Sequence, residues 1–260
     1  MTSAGRTASG WLPAVRLAFT WLTVLPARGP DEVDRRAAGR AIALAPVVGV
    51  VLGLVAAGAL WVSHPAGAAA GFGAVAVLAL FTRGMHLDGI ADTFDGLGTY
   101  GPPERAREVM KSGGAGPFGV AALVLTAAIQ ATSFTALAAA QHWPAVVLAV
   151  ALARVAVVGV CRRGSPAAPG AWFGSRVAGT QPWPVVAGWA LAAPVAAILA
   201  VPDLPWAGPL VTVVTLAVVL GLAQHGVRRF GGLSGDLLGA TVELGTALAA
   251  LGFAVAANSV

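Results

Sequence analysis

The sequence contains very few charged residues for its length. Asp, Glu, Lys and Arg make up 10% of the 260 residues, whereas 57% are hydrophobic. The mean hydropathy of +0.81 lies far outside the usual range of a soluble domain. This scarcity of charge excludes an ordinary soluble domain and indicates a protein embedded in a lipid bilayer.

Cysteine and lysine occur once each, as Cys161 and Lys111. A single cysteine excludes an internal disulfide and any paired-cysteine redox or zinc site. The formal net charge is +5, but the basic residues are scattered over several loops. They lack the basic stripe with interleaved aromatic residues that is typical of nucleic-acid binding. Nucleic acid is therefore not an expected partner.

What the sequence does contain is long apolar segments, which predict an all-α, polytopic helical bundle with about seven transmembrane helices. One span needs about 20 mostly apolar residues. The expected spans are 41–63, 66–83, 117–141, 143–161, 184–201, 207–225 and 238–258. Residues 1–260 then form a single membrane domain, in which 41–260 is the bundle and 1–40 an N-terminal helix plus a cytoplasmic basic segment. That first helix, within 11–27, is interfacial, a short eighth span or a signal-peptide-like segment.

The basic residues alternate between the connections of this predicted bundle. The connections at 63–67, 141–144 and 201–208 contain no Lys or Arg, whereas the segments 83–116, 162–183 and 226–237 contain several. Cytoplasmic loops of membrane proteins carry an excess of Lys and Arg. The pattern predicts a multi-pass protein of the cell (plasma or inner) membrane in which these three charged segments are cytoplasmic active-site loops.

The scarce acidic residues are concentrated in the stretch HLDGIADTFDG at 86–96. Asp88, Asp92 and Asp95 follow an i, i+4, i+7 spacing, which places them within about 60° on one helix face. Three neighbouring carboxylates repel one another unless a cation lies between them. Their hard oxygen atoms suit Mg²⁺, which completes its coordination with water and substrate phosphates. The alternative is that they only solvate the end of a helix.

Two further segments predict groups that complete such a site. Lys111 precedes a Gly-rich turn that ends at Gly116, and a turn of this kind before a helix can bind phosphate oxygens. Asp236 and Glu243, spaced i, i+7 at the entry of the last span, are expected to close the metal site from the other side. Arg154, inside the fourth span, either reaches the surface or faces the acidic site or a substrate phosphate.

Three motifs, in this order, resemble those of the adenosylcobinamide-GDP ribazoletransferase (cobalamin synthase) family. They are GMHLDGIADTFDGLGTYG at 84–101, VMKSGGAGPFG at 109–119 and GGLSGDLLGATVE at 231–243. The resemblance covers nearly the whole chain. Carried over by position, it marks His86, Asp88, Asp92 and Asp95 in the first motif, Lys111 in the second, and Ser234, Asp236 and Glu243 in the third. It implies catalytic roles for the first four and substrate binding by Lys111 and Ser234.

The resemblance implies the last assembly step of vitamin B12, with Mg²⁺ as cofactor. A hydroxyl of α-ribazole, or of its 5′-phosphate, attacks the diphosphate of adenosylcobinamide-GDP, and GMP leaves. It leaves open whether the chain forms a homo-oligomer or associates with other cobalamin-assembly enzymes. The chain departs from the family at Arg83, Ser112, Gly114 and Thr246, where family members commonly have glycine, an acid, a base and a second Glu.

Two other classes of function fit the sequence motifs less well. Other membrane enzymes that act on Mg²⁺-bound diphosphates, such as prenyltransferases and CDP-alcohol phosphotransferases, also carry Asp-rich helices, but their motif patterns differ from this one. An ion-coupled transporter places its cation site near the middle of the bilayer, often within inverted repeats. Here the acidic residues lie at span ends, and no internal repeat is found.

Overall fold

A computed structural model describes residues 10–25 and 33–259. Residues 1–9 and 26–32, which belong to the predicted N-terminal segment, and Val260 lie outside this description. Within it the chain forms twelve α-helices and no strand, so the all-α prediction is confirmed. The helices are α1 (Trp11–Leu22), α2 (Arg35–Ala43), α3 (Ala45–Ser63), α4 (Ala69–Phe81), α5 (Met85–Gly98), α6 (Pro103–Met110), α7 (Pro117–Ala139), α8 (Trp143–Val160), α9 (Trp172–Val177), α10 (Trp183–Ala196), α11 (Ala207–Phe230) and α12 (Gly235–Ala257).

Five helices of the described chain are long and apolar enough to cross a membrane. They correspond to α3 with its short 3₁₀ extension, α7, α8, α11 and α12. The chain is therefore a multi-pass membrane protein by the length and composition of its helices. The predicted count of seven is not confirmed, because two of the expected spans are shorter than the apolar runs that suggested them.

The first short element is α4, which has 13 residues. At about 1.5 Å per residue it extends roughly 20 Å, less than the 30 Å of a hydrocarbon core. The chain then bends by 96° into α5. Arg83 and Gly84 both have positive φ at this bend, 56° and 66°. The second short element, Trp183–Leu199, spans 17 residues and includes Pro194.

The core of the bundle is built around α8. Of its span, 78% is buried inside the protein, a larger share than in the other four. The helix packs against α3 on one side and α12 on another, and small residues let these helices approach closely. A Cβ atom on Gly53 of α3 would lie 2.7 Å from the Cα of Val147 in α8. A central, tightly packed α8 thus fixes α12, which carries part of the candidate site.

Arginine side chains donate hydrogen bonds to carbonyl groups at helix ends around the site. Arg107 of α6 donates to the carbonyl of Phe230 at the end of α11, at 2.8 Å, and Arg229 donates to the carbonyl of Thr99 after α5, at 2.5 Å. Arg83 donates to the carbonyls of Thr20 and Thr23 at the end of α1. Cations bound to terminal carbonyls complement the negative end of a helix. These contacts tie α1 and α11 to the two ends of α5, and α6 to the end of α11.

Candidate active site

The candidate site forms where α5 crosses α12. A Cβ atom on Gly89 would lie 2.7 Å from the carbonyl oxygen of Asp236, and one on Gly239 would lie 3.1 Å from the Cα of His86. Because neither glycine carries a side chain, the two backbones come into direct contact. The crossing brings the first and third sequence motifs, about 150 residues apart, into one place.

Three carboxylates meet beside this crossing, and we call Asp88, Asp92 and Asp236 the mouth cluster. Asp88 is exposed, and Asp92 and Asp236 are half-buried. Asp92 lies outside the five spans, and its pKa is raised to about 6 by partial burial and by the negative charges of Asp88, Asp236 and Asp95. In the described chain, no hydrogen bond to the Asp88 or Asp92 carboxylate is found. Asp88 and Asp92 are therefore accessible acids whose mutual repulsion is not offset by any hydrogen bond within the described chain.

Asp95, the third aspartate of the first motif, has a different environment. Its carboxylate accepts hydrogen bonds from the backbone N–H groups of Gly116, at 2.6 Å, and Gly119, at 2.8 Å. These are free N–H groups at the start of α7, where a negative charge is favourable. The N–H of Gly116, expected to bind substrate, thus donates to Asp95 in this structure. Its role in substrate binding stays a prediction.

Lys111 and Ser234 lie at the edge of the mouth cluster. Lys111 is exposed, packs against Gly170 of the loop before α9, and acts electrostatically on Asp236. The Ser234 hydroxyl caps α12 by accepting from the N–H of Leu237 at 3.2 Å, and it also contacts the Asp236 carboxylate. Both predicted substrate-binding residues therefore adjoin the acids, with Lys111 the one that projects into solvent.

The remaining predicted residues form a second group inside the bundle, and we call His86, Gln130, Arg154 and Glu243 the buried cluster. Gln130 of α7 donates to the Glu243 carboxylate at 2.7 Å and to its backbone carbonyl at 3.1 Å. Glu243 faces His86 Nδ1 at 3.9 Å. Arg154 donates to the Val150 carbonyl at 3.0 Å and acts electrostatically on Glu243. Four helices, α5, α7, α8 and α12, contribute to this group.

The structure thus divides the predicted metal ligands between different partners. Asp88, Asp92 and Asp236 share the mouth cluster, Asp95 caps α7, and Glu243 belongs to the buried cluster. Among residues 10–25 and 33–259, no three His, Cys, Asp or Glu side chains are arranged as a complete metal site. The mouth cluster nevertheless fits Mg²⁺, which uses one or two carboxylates and fills its other positions with water and phosphate oxygens. The metal roles stay predictions.

Two features of the site were not expected from the sequence. Gln130 was missed, although an amide inside an apolar span is costly unless it is hydrogen-bonded, which is a usable signal. The crossing at Gly89 and Gly239 was missed because it depends on two distant segments. The predicted helix through Asp88, Asp92 and Asp95 is confirmed, since all three lie in α5.

Comparisons with known proteins identify the family of this chain. The family model for cobalamin-5-phosphate synthase matches residues 14–254. An adenosylcobinamide-GDP ribazoletransferase of Nocardioides sp. is 40% identical over 93% of this chain and 98% of its own length. Proteins of the same name from Frankia casuarinae and Corynebacterium diphtheriae are 37% and 36% identical, over 91% and 92% of this chain and 92% and 90% of theirs. No solved structure matches the chain. The chain therefore belongs to the cobalamin-5-phosphate synthase family, a family of transferases of cobalamin synthesis.

Proposed function

We propose that the protein transfers the adenosylcobinamide phosphate group from adenosylcobinamide-GDP to α-ribazole or its 5′-phosphate. The observation that carries the proposal is the mouth cluster, in which two family motifs supply carboxylates to one accessible place. The matched relatives carry the name of this activity over nearly their whole length. The chemistry of the acids suits a phosphate-linked substrate, because they attract a divalent cation rather than the phosphate itself.

In the proposed reaction, a hydroxyl oxygen of the ribazole attacks the phosphorus that is bonded to cobinamide. A new P–O bond forms, the P–O bond to GMP breaks, and the proton of the hydroxyl passes to a base. Phosphoryl-type transfers of this kind depend mainly on the positioning of the reactants and on electrostatic stabilisation. The protein must therefore hold an anionic diphosphate close to acidic residues.

We propose Mg²⁺ as the cofactor, held by Asp92 together with Asp88 or Asp236 and completed by water and phosphate oxygens. When bound, it supplies charge neutralisation for the diphosphate and the leaving phosphate. Asp95 supports this arrangement by fixing α5 to the start of α7. Because Glu243 has other partners, its proposed part is to stabilise the region beneath the mouth cluster rather than to hold the cation directly.

Lys111 is the proposed contact for a substrate phosphate oxygen. It is the only lysine of the chain, it is exposed, and it lies beside the half-buried Asp236. A flexible ammonium group at the edge of an acidic site can neutralise the part of the phosphate charge that the cation does not neutralise. His86, two residues before Asp88 on α5, is the proposed general base for the hydroxyl proton.

We propose that this site faces the cytoplasm of the cell membrane. The support is the distribution of basic residues, since the segments next to the site contain the Arg and Lys residues and the opposite connections contain none. Substrates would then reach the mouth cluster from the aqueous side, while α3, α7, α8, α11 and α12 remain in the bilayer.

The test is a turnover assay on the purified protein in lipid nanodiscs. Adenosylcobinamide-GDP and α-ribazole are supplied with Mg²⁺, and again with EDTA, and both GMP and the cobamide product are quantified. We expect the two products in equal amounts, and only with Mg²⁺. Folded protein that releases no GMP in the presence of Mg²⁺, with either the nucleoside or its 5′-phosphate, would contradict the proposal. Prenyl-diphosphate and CDP-alcohol substrates would then be assayed.

A further inference from the structure

Gln130 is a buried amide in the middle of a span that the proposed reaction does not use. It is 2% exposed and lies on α7, more than three turns from the start of that helix. Its side chain donates twice to one residue of another helix, Glu243 of α12, through the carboxylate and through the backbone carbonyl. A double contact of this kind fixes both the rotation of α12 about its axis and the direction of the Glu243 side chain.

The free side of the Glu243 carboxylate faces α5. Its Oε1 atom lies 3.9 Å from His86 Nδ1, whereas Oε2 accepts from Gln130. His86 Nδ1 is fully buried, and the described part of the chain offers it no hydrogen-bond partner. A small rotation of the ring or the carboxylate brings these two atoms into hydrogen-bond range, and catalytic hydrogen bonds are often long before substrate binds. We therefore expect Glu243 to be the hydrogen-bond partner of His86 Nδ1 in the working enzyme.

A carboxylate that orients an imidazole is a recurrent arrangement, since it selects the tautomer and holds the ring plane. The carboxylate must itself be fixed, and here Gln130 supplies the hydrogen bond that fixes it. Arg154 of α8 adds a positive charge that attracts the Glu243 carboxylate. Gln130 thus acts on the site through two intermediates and touches none of the mouth cluster.

We infer that Gln130 is a positioning residue that holds the Glu243 carboxylate toward His86. The inference rests on the proposed function for its effect on turnover. Its effect on the imidazole is independent of the substrate, so the two can be tested separately.

The experiment compares three proteins with wild type in nanodiscs. Gln130→Leu removes both hydrogen bonds while keeping a similar volume. Thr126→Val is the matched control, since Thr126 is a buried polar residue one turn earlier on the same helix. The double variant Gln130→Glu with Glu243→Gln retains a side-chain hydrogen bond between α7 and α12 but moves the carboxylate from α12 to α7.

Three readouts are collected: the melting temperature, kcat and KM, and the ¹⁵N spectrum of histidine-labelled protein, with the His86 signal assigned by its loss in His86→Gln. Gln130→Leu should shift the His86 signal and lower kcat about 10- to 100-fold with little change in KM, as expected for loss of an orienting partner. Thr126→Val should change neither. The double variant should have a melting temperature close to that of wild type but should keep the low kcat of Gln130→Leu.

Two results would overturn the inference. One is an unchanged His86 spectrum in Gln130→Leu, which would mean that Gln130 only joins α7 to α12. The other is recovery of kcat by the double variant, which would mean that the position of the carboxylate is unimportant. If wild type does not turn over ribazole substrates, the proposed function fails, and the spectrum alone still decides the inference.

Discussion

The mouth cluster and the buried cluster use the same kinds of side chain in opposite ways. In the mouth cluster, Asp88 and Asp92 are accessible and have no hydrogen bonds within the described chain, and the pKa of Asp92 is raised. In the buried cluster, Glu243 is surrounded by an amide, an imidazole and a guanidinium. Unpaired acids at the surface can accept a cation, whereas partnered acids inside a bundle fix geometry. Membership in a motif therefore does not by itself assign a role to a carboxylate.

Asp95 shows the same contrast within a single helix. It stands one turn after Asp92, yet both of its carboxylate oxygens accept backbone N–H groups at the start of α7. Its position in the motif suggests a metal ligand, and its contacts indicate a helix cap. The first motif therefore combines cation binding with the docking of α5 onto α7.

The strongest test of the mouth cluster is Asp92→Asn. We expect turnover to fall about 10²- to 10³-fold, because the substitution removes a proposed ligand of the cation that neutralises the diphosphate. The melting temperature should stay close to that of wild type, since Asp92 makes no hydrogen bond in the described structure. Asp203→Asn, an exposed acid in the connection between α10 and α11, serves as the control and should keep full activity. If Asp92→Asn turned over substrate as fast as wild type, the mouth cluster would have no part in the reaction.

The buried cluster should respond in stability instead. Arg154→Met removes the hydrogen bond to the Val150 carbonyl and a positive charge that acts on Glu243 inside the bundle. Leaving buried polar groups without a partner costs about 1–3 kcal/mol. We expect a lower yield of folded protein and a clear drop in melting temperature in detergent. The exposed Arg163→Met should leave both unchanged. A stable Arg154→Met protein would show that Glu243 needs no positive partner.

The crossing that joins the two clusters can be tested at Gly89. An alanine there places its Cβ 2.7 Å from the Asp236 carbonyl and must push α5 away from α12. We expect a loss of about 1–3 kcal/mol in stability, as for overpacking elsewhere, together with reduced turnover. Gly58→Ala on α3, where the new Cβ meets nothing within 4 Å, is the matched control. Equal behaviour of the two variants in a thermal melt would contradict the close crossing.

The smallest expected effect concerns pH. Because the pKa of Asp92 is raised to about 6, this carboxyl is protonated at lower pH and must lose its proton to bind a cation. The affinity for Mg²⁺ should therefore be constant above about pH 7 and fall by up to tenfold per pH unit below pH 6. Titrations at a series of pH values check this. An affinity that rises as the pH falls would contradict the role of Asp92.

The sequence allowed prediction of the features that depend on neighbouring residues. Apolar runs predicted most of the bundle, and the spacing of Asp88, Asp92 and Asp95 predicted the helix that carries them. The bend at Arg83 was not predicted, because arginine seldom adopts positive φ and the apolar run continues up to it. The cap formed by Asp95 joins groups 21 and 24 residues apart, and the Gln130 contact joins groups 113 apart. Such pairings depend on helix packing, which local patterns do not specify.

The most direct test of the account is the binding of Mn²⁺, as a spectroscopic substitute for Mg²⁺, to wild type, Asp92→Asn and Glu243→Gln. Electron paramagnetic resonance titrations in nanodiscs give the affinity of each protein without substrate. We expect similar binding by wild type and Glu243→Gln, and binding at least tenfold weaker by Asp92→Asn. Weak binding by Glu243→Gln beside undiminished binding by Asp92→Asn would place the cation in the buried cluster and contradict the account.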